Sequence, residues 1–298
     1  MTDHISSLTF ETIRQHTLSW RMPGGDLTLH GYSRAADGTA FMIPELWIGL
    51  DAGRMVHTRR PEHLFITHTH SDHVFELPHL KTRRKPPTIY APTAMLGLIE
   101  QYCEAAQRLT DCEPDPEQWV QLDTSYHLVG VEPGDRWKMA LKGRDALWVE
   151  AVRCDHTVPC LGYRFLKPQR RLKEAFRDRP GGELAALRAE GVVLEEEIEV
   201  PLLTFLGDTT HQVFLDHPEV LESPVVLVEC TFFAPDHKTQ AARTGHMHWE
   251  HLESFVCDHP NTIFMLTHAS HRYRDEELGV FAKRLPSNAR LWLNAPHT

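Results

Sequence analysis

Short apolar runs bounded by Gly, Pro, Asn and Asp recur along the chain, at residues 27–30, 40–43, 46–50, 64–67, 88–90, 146–152, 161–165, 202–207, 225–230, 262–267 and 291–293. Runs of this length between turn formers read as buried strands. Between them the period changes. From Pro92 to about Leu109, Met95, Leu98, Ile99, Tyr102, Cys103 and Ala106 fall on helical spacing, which predicts an amphipathic helix packed on a sheet. Further helices are expected at 183–190, through Leu252, Phe255 and Val256, and at 275–283. Strands alternating with helices predict an α/β fold.

Four of the strand-like runs lead into a residue able to hold a metal. Residues 64–67 run into His68, 146–152 lead towards His156, 202–207 into Asp208, and 262–267 into His268. Sites in open α/β sheets gather where the carboxyl ends of strands meet. The densest cluster is His68-Thr69-His70-Ser71-Asp72-His73. Neutral imidazole and carboxylate suit zinc and its neighbours in the first transition row. Alternate side chains of an extended segment share a side, so His68 and His70 can converge on one ion. A following helical turn swings Asp72 and His73 towards a second. A solvated loop is the alternative in a chain with 21 histidines, but nothing structural requires four ligand-type residues at this spacing. Asp51 closes the run at 46–50. It either caps a turn or hydrogen-bonds a ligand histidine and fixes its tautomer.

Composition narrows the partners more than the fold. The 298 residues, 41% apolar and 24% charged, suffice for a substantial core. A formal net charge of −10 argues against non-specific coating of nucleic acid without excluding a nuclease. No run is long enough to span a bilayer, and Met1-Thr2-Asp3-His4 lacks the features of a signal peptide, so a cytoplasmic protein with no membrane partner is expected. The six cysteines lack paired short spacing and read as small core residues, including Cys154 and Cys160 on either side of His156.

Two basic stretches stand out in this acidic chain. Lys81-Thr82-Arg83-Arg84-Lys85 reads as a solvated loop or a phosphate-contacting rim. From about 164 to 200, Lys167, Arg170, Arg171, Lys173, Arg177, Arg179 and Arg188 suggest a short basic insertion. It is either a solvated helical hairpin or a handle for a polyanion. Gly245-His246-Met247-His248 precedes a helix, where a histidine can serve as a catalytic acid or merely as a cap.

Taken in order, His68-Thr-His70-Ser-Asp72-His73, His156 with Leu161-Gly162-Tyr163, Gly207-Asp208-Thr209-Thr210 and His268-Ala-Ser270-His-Arg272-Tyr273 resemble the motif set of the metallo-β-lactamase superfamily. The Gly245-His246 pair, Asp51-Ala-Gly-Arg54 and Lys85-Pro-Pro-Thr-Ile89 are similar to its ribonuclease Z branch, in the short form. The resemblance implies one domain over 1–298, a four-layer αββα sandwich. It assigns His68, His70 and His156 to one Zn2+, Asp72, His73 and His268 to another, with Mn2+ or Fe2+ as alternatives, and Asp208 as the bridge. It gives His246 the role of general acid, with His248 as a second candidate and Asp72 counted among the catalytic residues. It further implies precursor tRNA as substrate and a homodimer; Lys167, Arg170, Arg171, Lys173 and Arg272 are the substrate contacts expected from their charge. The glycine-rich opening motif and the long exosite arm of many members are absent. Acidic charge and a short arm leave a small-molecule phosphodiesterase or other ester hydrolase as the competing expectation. A non-catalytic scaffold is disfavoured, because all seven ligand-type residues are present.

Overall fold

The computed structural model describes residues 18–54, 60–81, 86–112 and 126–294. Residues 82–85 of the first basic stretch lie outside them.

Two seven-stranded sheets hold β1 to β14 in chain order. The first contains β1 (Leu18–Arg21), β2 (Thr28–Arg34), β3 (Gly38–Ile43), β4 (Ile48–Leu50), β5 (His63–Phe65), β6 (Thr88–Pro92) and β7 (His127–Val131). The second contains β8 (Arg136–Leu141), β9 (Arg144–Cys154), β10 (Cys160–Leu172), β11 (Glu195–Phe205), β12 (Val225–Glu229), β13 (Ile263–Thr267) and β14 (Ala289–Leu291). Each sheet begins as an antiparallel meander of four strands and continues with parallel pairings. Both are therefore mixed.

The continuous apolar runs follow from burial on both faces, as parallel strands under helices require. Phe65 points between the sheets, where its ring stacks on Tyr90 at 4.7 Å and meets Tyr163 and Phe165 edge-on at 5.0 Å each. Its neighbours Leu64 and Ile66 point the other way, into a cluster with Leu77 and Leu80 of α2 (Leu77–Lys81) and Ile99 and Cys103 of α3 (Leu96–Asp111). On the far side of the second sheet, Val226, Val228 and Phe264 pack with Phe214 of α5 (Gln212–Asp216) and Leu252 and Val256 of α7 (Trp249–Asp258). The layers are helix, sheet, sheet, helix. Emptying the central position by Phe65→Ala costs about 3–5 kcal/mol. The remaining helices are α1 (Ser71–Val74), α4 (Gly181–Ala189), α6 (Lys238–Thr244) and α8 (Asp275–Ala282). Among the described residues no helix is long and apolar enough to cross a membrane.

The segment at 164–200 corrects an expectation. Instead of a basic insertion it is a two-stranded ribbon, because β9 ends its pairing at Leu166↔Trp148 while β10 and β11 continue together to Leu172↔Glu195. A short turn and α4 form its tip. The outgoing strand carries Lys167, Arg170 and Arg171 and the returning strand carries Glu195, Glu196, Glu197 and Glu199, with Arg170 opposite Glu197 and Arg171 opposite Glu196, and over residues 164–200 eight basic residues are matched in number by eight acidic ones. Arg171 Nε pairs with Glu196 at 3.0 Å and Arg188 with Glu195 at 2.9 Å. Arg164 belongs to the core, with its guanidinium bound to Glu150 at 2.8 Å and Glu222 at 2.6 Å. Among the described residues Lys167, Arg170 and Lys173 enter no ion pair.

Candidate metal centre

The carboxyl ends of β5, β9, β11 and β13 deliver His68, His156, Asp208 and His268 to one edge of the sandwich. His68 Nε2 lies 3.1 Å from His70 Nδ1, which is 3.3 Å from His156 Nε2. Asp208 Oδ2 completes this group at 3.7 Å from His68 and 4.0 Å from His156. In a second group His73 Nε2 is 3.3 Å from His268 Nε2, which is 3.2 Å from Asp72 Oδ2. Asp208 reaches this group too, with Oδ1 at 3.5 Å from His73 and Oδ2 at 3.5 Å from His268. One carboxylate thus touches both groups.

The outer ring nitrogens explain why these imidazoles converge as acceptors. His73 Nδ1–H donates to Asp51 Oδ2 at 2.8 Å, and His156 Nδ1–H to the Gly245 carbonyl at 2.8 Å. His68 Nδ1–H donates to Thr67 Oγ1 at 3.0 Å, whose own proton goes to Asp51 at 2.9 Å. His268 Nδ1–H donates to Thr231 Oγ1 at 2.9 Å, and Thr231 donates to Glu229 at 2.5 Å. Each bond occupies Nδ1 and leaves Nε2 aimed into the hollow. Asp51 is fully buried and takes the second of the roles open to it, with Oδ1 also accepting the Thr67 amide at 2.8 Å.

Main-chain constraints hold the loops. Asp51 and His268 adopt left-handed φ values of 55° and 62°, which cost about 1–3 kcal/mol each for non-glycine residues and persist where the surroundings enforce them. Gly53 is required for contact, because a Cβ there would stand 1.7 Å from the Asp72 carbonyl oxygen. Gly245, at φ 66°, ends α6 and turns its carbonyl to His156.

Electrostatics favour a cation in this hollow. Burial and then the neighbouring imidazole of His73 hold His68 well below the usual histidine range. Burial opposes the charged form of Asp208 too, but His268, then His73 and His68, more than offset it and lower its pKa. Burial pulls His73 down, yet Asp208 and Asp51 prevail and bring it up to about 9. Lone pairs 3.1–4.0 Å apart match the edges of a tetrahedron of zinc ligands, about 3.4 Å for bonds of roughly 2.1 Å. The residues fit divalent metal.

The two histidines after Gly245 part company. His246 Nδ1 is 2.7 Å from Glu229 Oε1 and 3.8 Å from Asp208 Oδ2, beside both groups. His248 is fully buried, caps α7 by accepting the Glu250 amide on Nδ1 at 3.2 Å, and donates from Nε2 to the Ala234 carbonyl at 3.0 Å. Both its nitrogens are engaged away from the centre, which removes it as a candidate acid. Arg272 is exposed on the loop after His268, while Lys167, Arg170, Arg171 and Lys173 sit on the ribbon, away from the centre.

Sequence reasoning passed over Glu229. It ends an otherwise apolar buried strand, is 1% exposed, and accepts from the Thr209 amide at 2.9 Å, the Thr231 amide at 3.1 Å and His246. A lone carboxylate closing such a run was its signal.

Residues 50–269 match the family described as the Beta-lactamase superfamily domain. The chain belongs to this family. Its fold is the metallo-β-lactamase fold, shared with the Bacillus subtilis protein YhfI (TM-score 0.58, 13% identity, 89% of this chain and 95% of that one). It is shared also with human tRNase Z, short form (TM-score 0.50, 17% identity, 81% and 92%). In sequence the superfamily member resembles a tRNase Z of Arabidopsis thaliana, 28% identical over 267 residues (87% of this chain, 90% of the relative). A ribonuclease Z of Staphylococcus saprophyticus is 26% identical over 259 residues (76% of each).

Proposed function

We propose that the protein is a dimetal phosphodiester hydrolase that removes the 3′ trailer from precursor tRNA. The observation that carries the chemistry is the convergence of two donor groups on Asp208, with His246 held beside them by Glu229. The substrate is supported by relatives named tRNase Z and ribonuclease Z that match most of the chain.

His68, His70 and His156 would hold one ion, Asp72, His73 and His268 the other, and Asp208 both. Imidazole-rich donors suit Zn2+, with Mn2+ or Fe2+ as alternatives. When bound, the two ions supply Lewis-acid activation of water and neutralise charge on a phosphate. The chain's own residues do the rest. Asp51, Thr67 and Thr231 fix the imidazoles, and His246 holds the proton. Burial disfavours its charged form, but the Glu229 carboxylate and then Asp208 raise its pKa to about 9. With Nδ1–H given to Glu229, Nε2–H is the proton available to the departing 3′-oxygen. Cleavage of the P–O3′ bond leaves a 3′-hydroxyl on the tRNA, and the water oxygen ends in the 5′-phosphate of the trailer.

We extend the reading to a homodimer. Strand β10 starts beside the centre at Cys160 and runs 13 residues, through the sheet and then the ribbon, to Leu172, about 40 Å at roughly 3.3 Å per residue. Its tip therefore serves a substrate on a second copy better than its own. The balanced charge of the ribbon and the net charge of −10 stand on the side of a small phosphodiester. Salt dependence decides: binding of precursor tRNA through several phosphates weakens steeply with salt, whereas a flat response assigns the site to the small substrate.

A further inference from the structure

Beside the metal loop the surface opens into a cavity of about 320 Å3. One wall is Thr69 and Ser71, which alternate with His70 and Asp72 in the loop. The others are Phe75, the residue that ends α1, and Leu98 and Tyr102 of α3. Phe75 is 60% exposed, Leu98 57% and Tyr102 36%. Single exposed apolar side chains are ordinary, but three around one concavity mark a binding surface.

The walls are held in place. Tyr102 donates its hydroxyl to the Phe75 carbonyl at 2.8 Å, which ties α3 to the end of α1. Thr69 Oγ1 donates to Met95 Sδ at 3.3 Å. Beneath the rings Leu77 and Ile99 are 0% and 2% exposed, so the space below is filled and neither aromatic side chain can sink into the core.

We propose that this cavity takes a nucleobase of the RNA strand next to the phosphate held at the metal centre, with Phe75 and Tyr102 as its stacking faces. The inference rests on the phosphodiester reading above. Thr69 and Ser71 belong to the same loop as the donors, so a phosphate at the centre brings an adjoining nucleoside to the rim. The lining is Thr, Ser, Val, Phe, Leu, Ile and Tyr, without a cation. It is no phosphate site. The base is the flat, apolar-faced part of a nucleotide, and stacking on aromatic side chains accepts every base while hydroxyls at the rim can meet its polar edge. A partner helix would need a groove with several successive pockets.

The test uses precursor tRNAs carrying an abasic nucleotide at each of the positions flanking the scissile phosphate, cleaved by the wild-type protein, Phe75→Ala and Phe75→Trp. Loss of one stacking contact corresponds to about five- to a hundredfold. One abasic position is expected to raise KM at least about fivefold in the wild type and in Phe75→Trp, but less than about twofold in Phe75→Ala, whose KM is already high. An equal abasic penalty in all three proteins, or none at any position, overturns the assignment. So does conversion of a dimer to a monomer by Phe75→Ala in light scattering without an abasic effect, which gives the face to a second copy. If the wild type leaves precursor tRNA intact while hydrolysing a small phosphodiester, the parent reading fails and this one with it.

Discussion

The metal centre and the β10–β11 ribbon are both dense in charge, and they use it in opposite ways. At the centre, Asp51, His68, Asp208, Glu229 and His268 at strand ends and His73 of α1 are at most 3% exposed. Asp51 and Glu229 each orient an imidazole there, and hydrogen bonds to charged groups are worth about 1.5–3 kcal/mol. In the ribbon the partners face each other across one ladder. The Arg171 and Glu196 side chains are 47% and 39% exposed, where such a pair contributes about 0–1 kcal/mol. Charge in the centre is organised towards something the chain must bind; charge in the ribbon is largely answered by the ribbon itself.

The comparison breaks first at Asp208. Because it touches both donor groups, Asp208→Asn should reduce bound metal to less than one ion per chain by elemental analysis and take cleavage below detection. Two ions retained would contradict its place between the groups. Next, His246→Ala should lower kcat by about 10²–10⁴ with metal content unchanged, and a loss under tenfold would remove His246 from the acid role. The sign of the pH dependence follows from its raised pKa: the imidazole is protonated at pH 7, and activity declines as pH rises through the folded value of about 9. Ions at the neighbouring donors pull that limb to lower pH, and Glu229→Gln should move it lower still. A limb unmoved by Glu229→Gln would separate Glu229 from the acid. A smaller effect is expected from Asp51→Asn, about 10–100-fold in metal affinity by competition with a chelator. The least is expected on the ribbon. Arg170→Gln with Lys173→Gln should reduce the salt slope of RNA binding by about two, whereas Arg171→Gln should leave it unchanged, because Glu196 already holds that guanidinium.

What was legible in the sequence divides along the same line. Strands buried on both faces announce themselves as apolar runs, so β5, β9, β11 and β13 and the residues that follow them could be read directly. The strands without a signal were β1, β7 and β8, and all three lie at sheet edges. There one side meets solvent, and residues such as Arg136 and Lys138 alternate with Trp137 and Met139. The ribbon misled for a related reason. Cations at 167–173 and glutamates at 195–199 are far apart in the chain, and only the antiparallel register brings Arg171 opposite Glu196. His248 looked equivalent to His246 because spacing does not reveal which ring nitrogens a helix end will occupy. Glu229 stayed unassigned because, apart from Thr231 two residues on, its partners Thr209 and His246 come from two other loops.

The central claim is that this centre cuts a phosphodiester in precursor tRNA. Its most direct test is to incubate the zinc-loaded protein with a precursor tRNA carrying a 3′ trailer and to map both product ends. The account predicts a tRNA ending in a 3′-hydroxyl and a trailer beginning with a 5′-phosphate, both absent with His246→Ala on the same timescale. An intact precursor, or fragments with a 3′-phosphate, would contradict it.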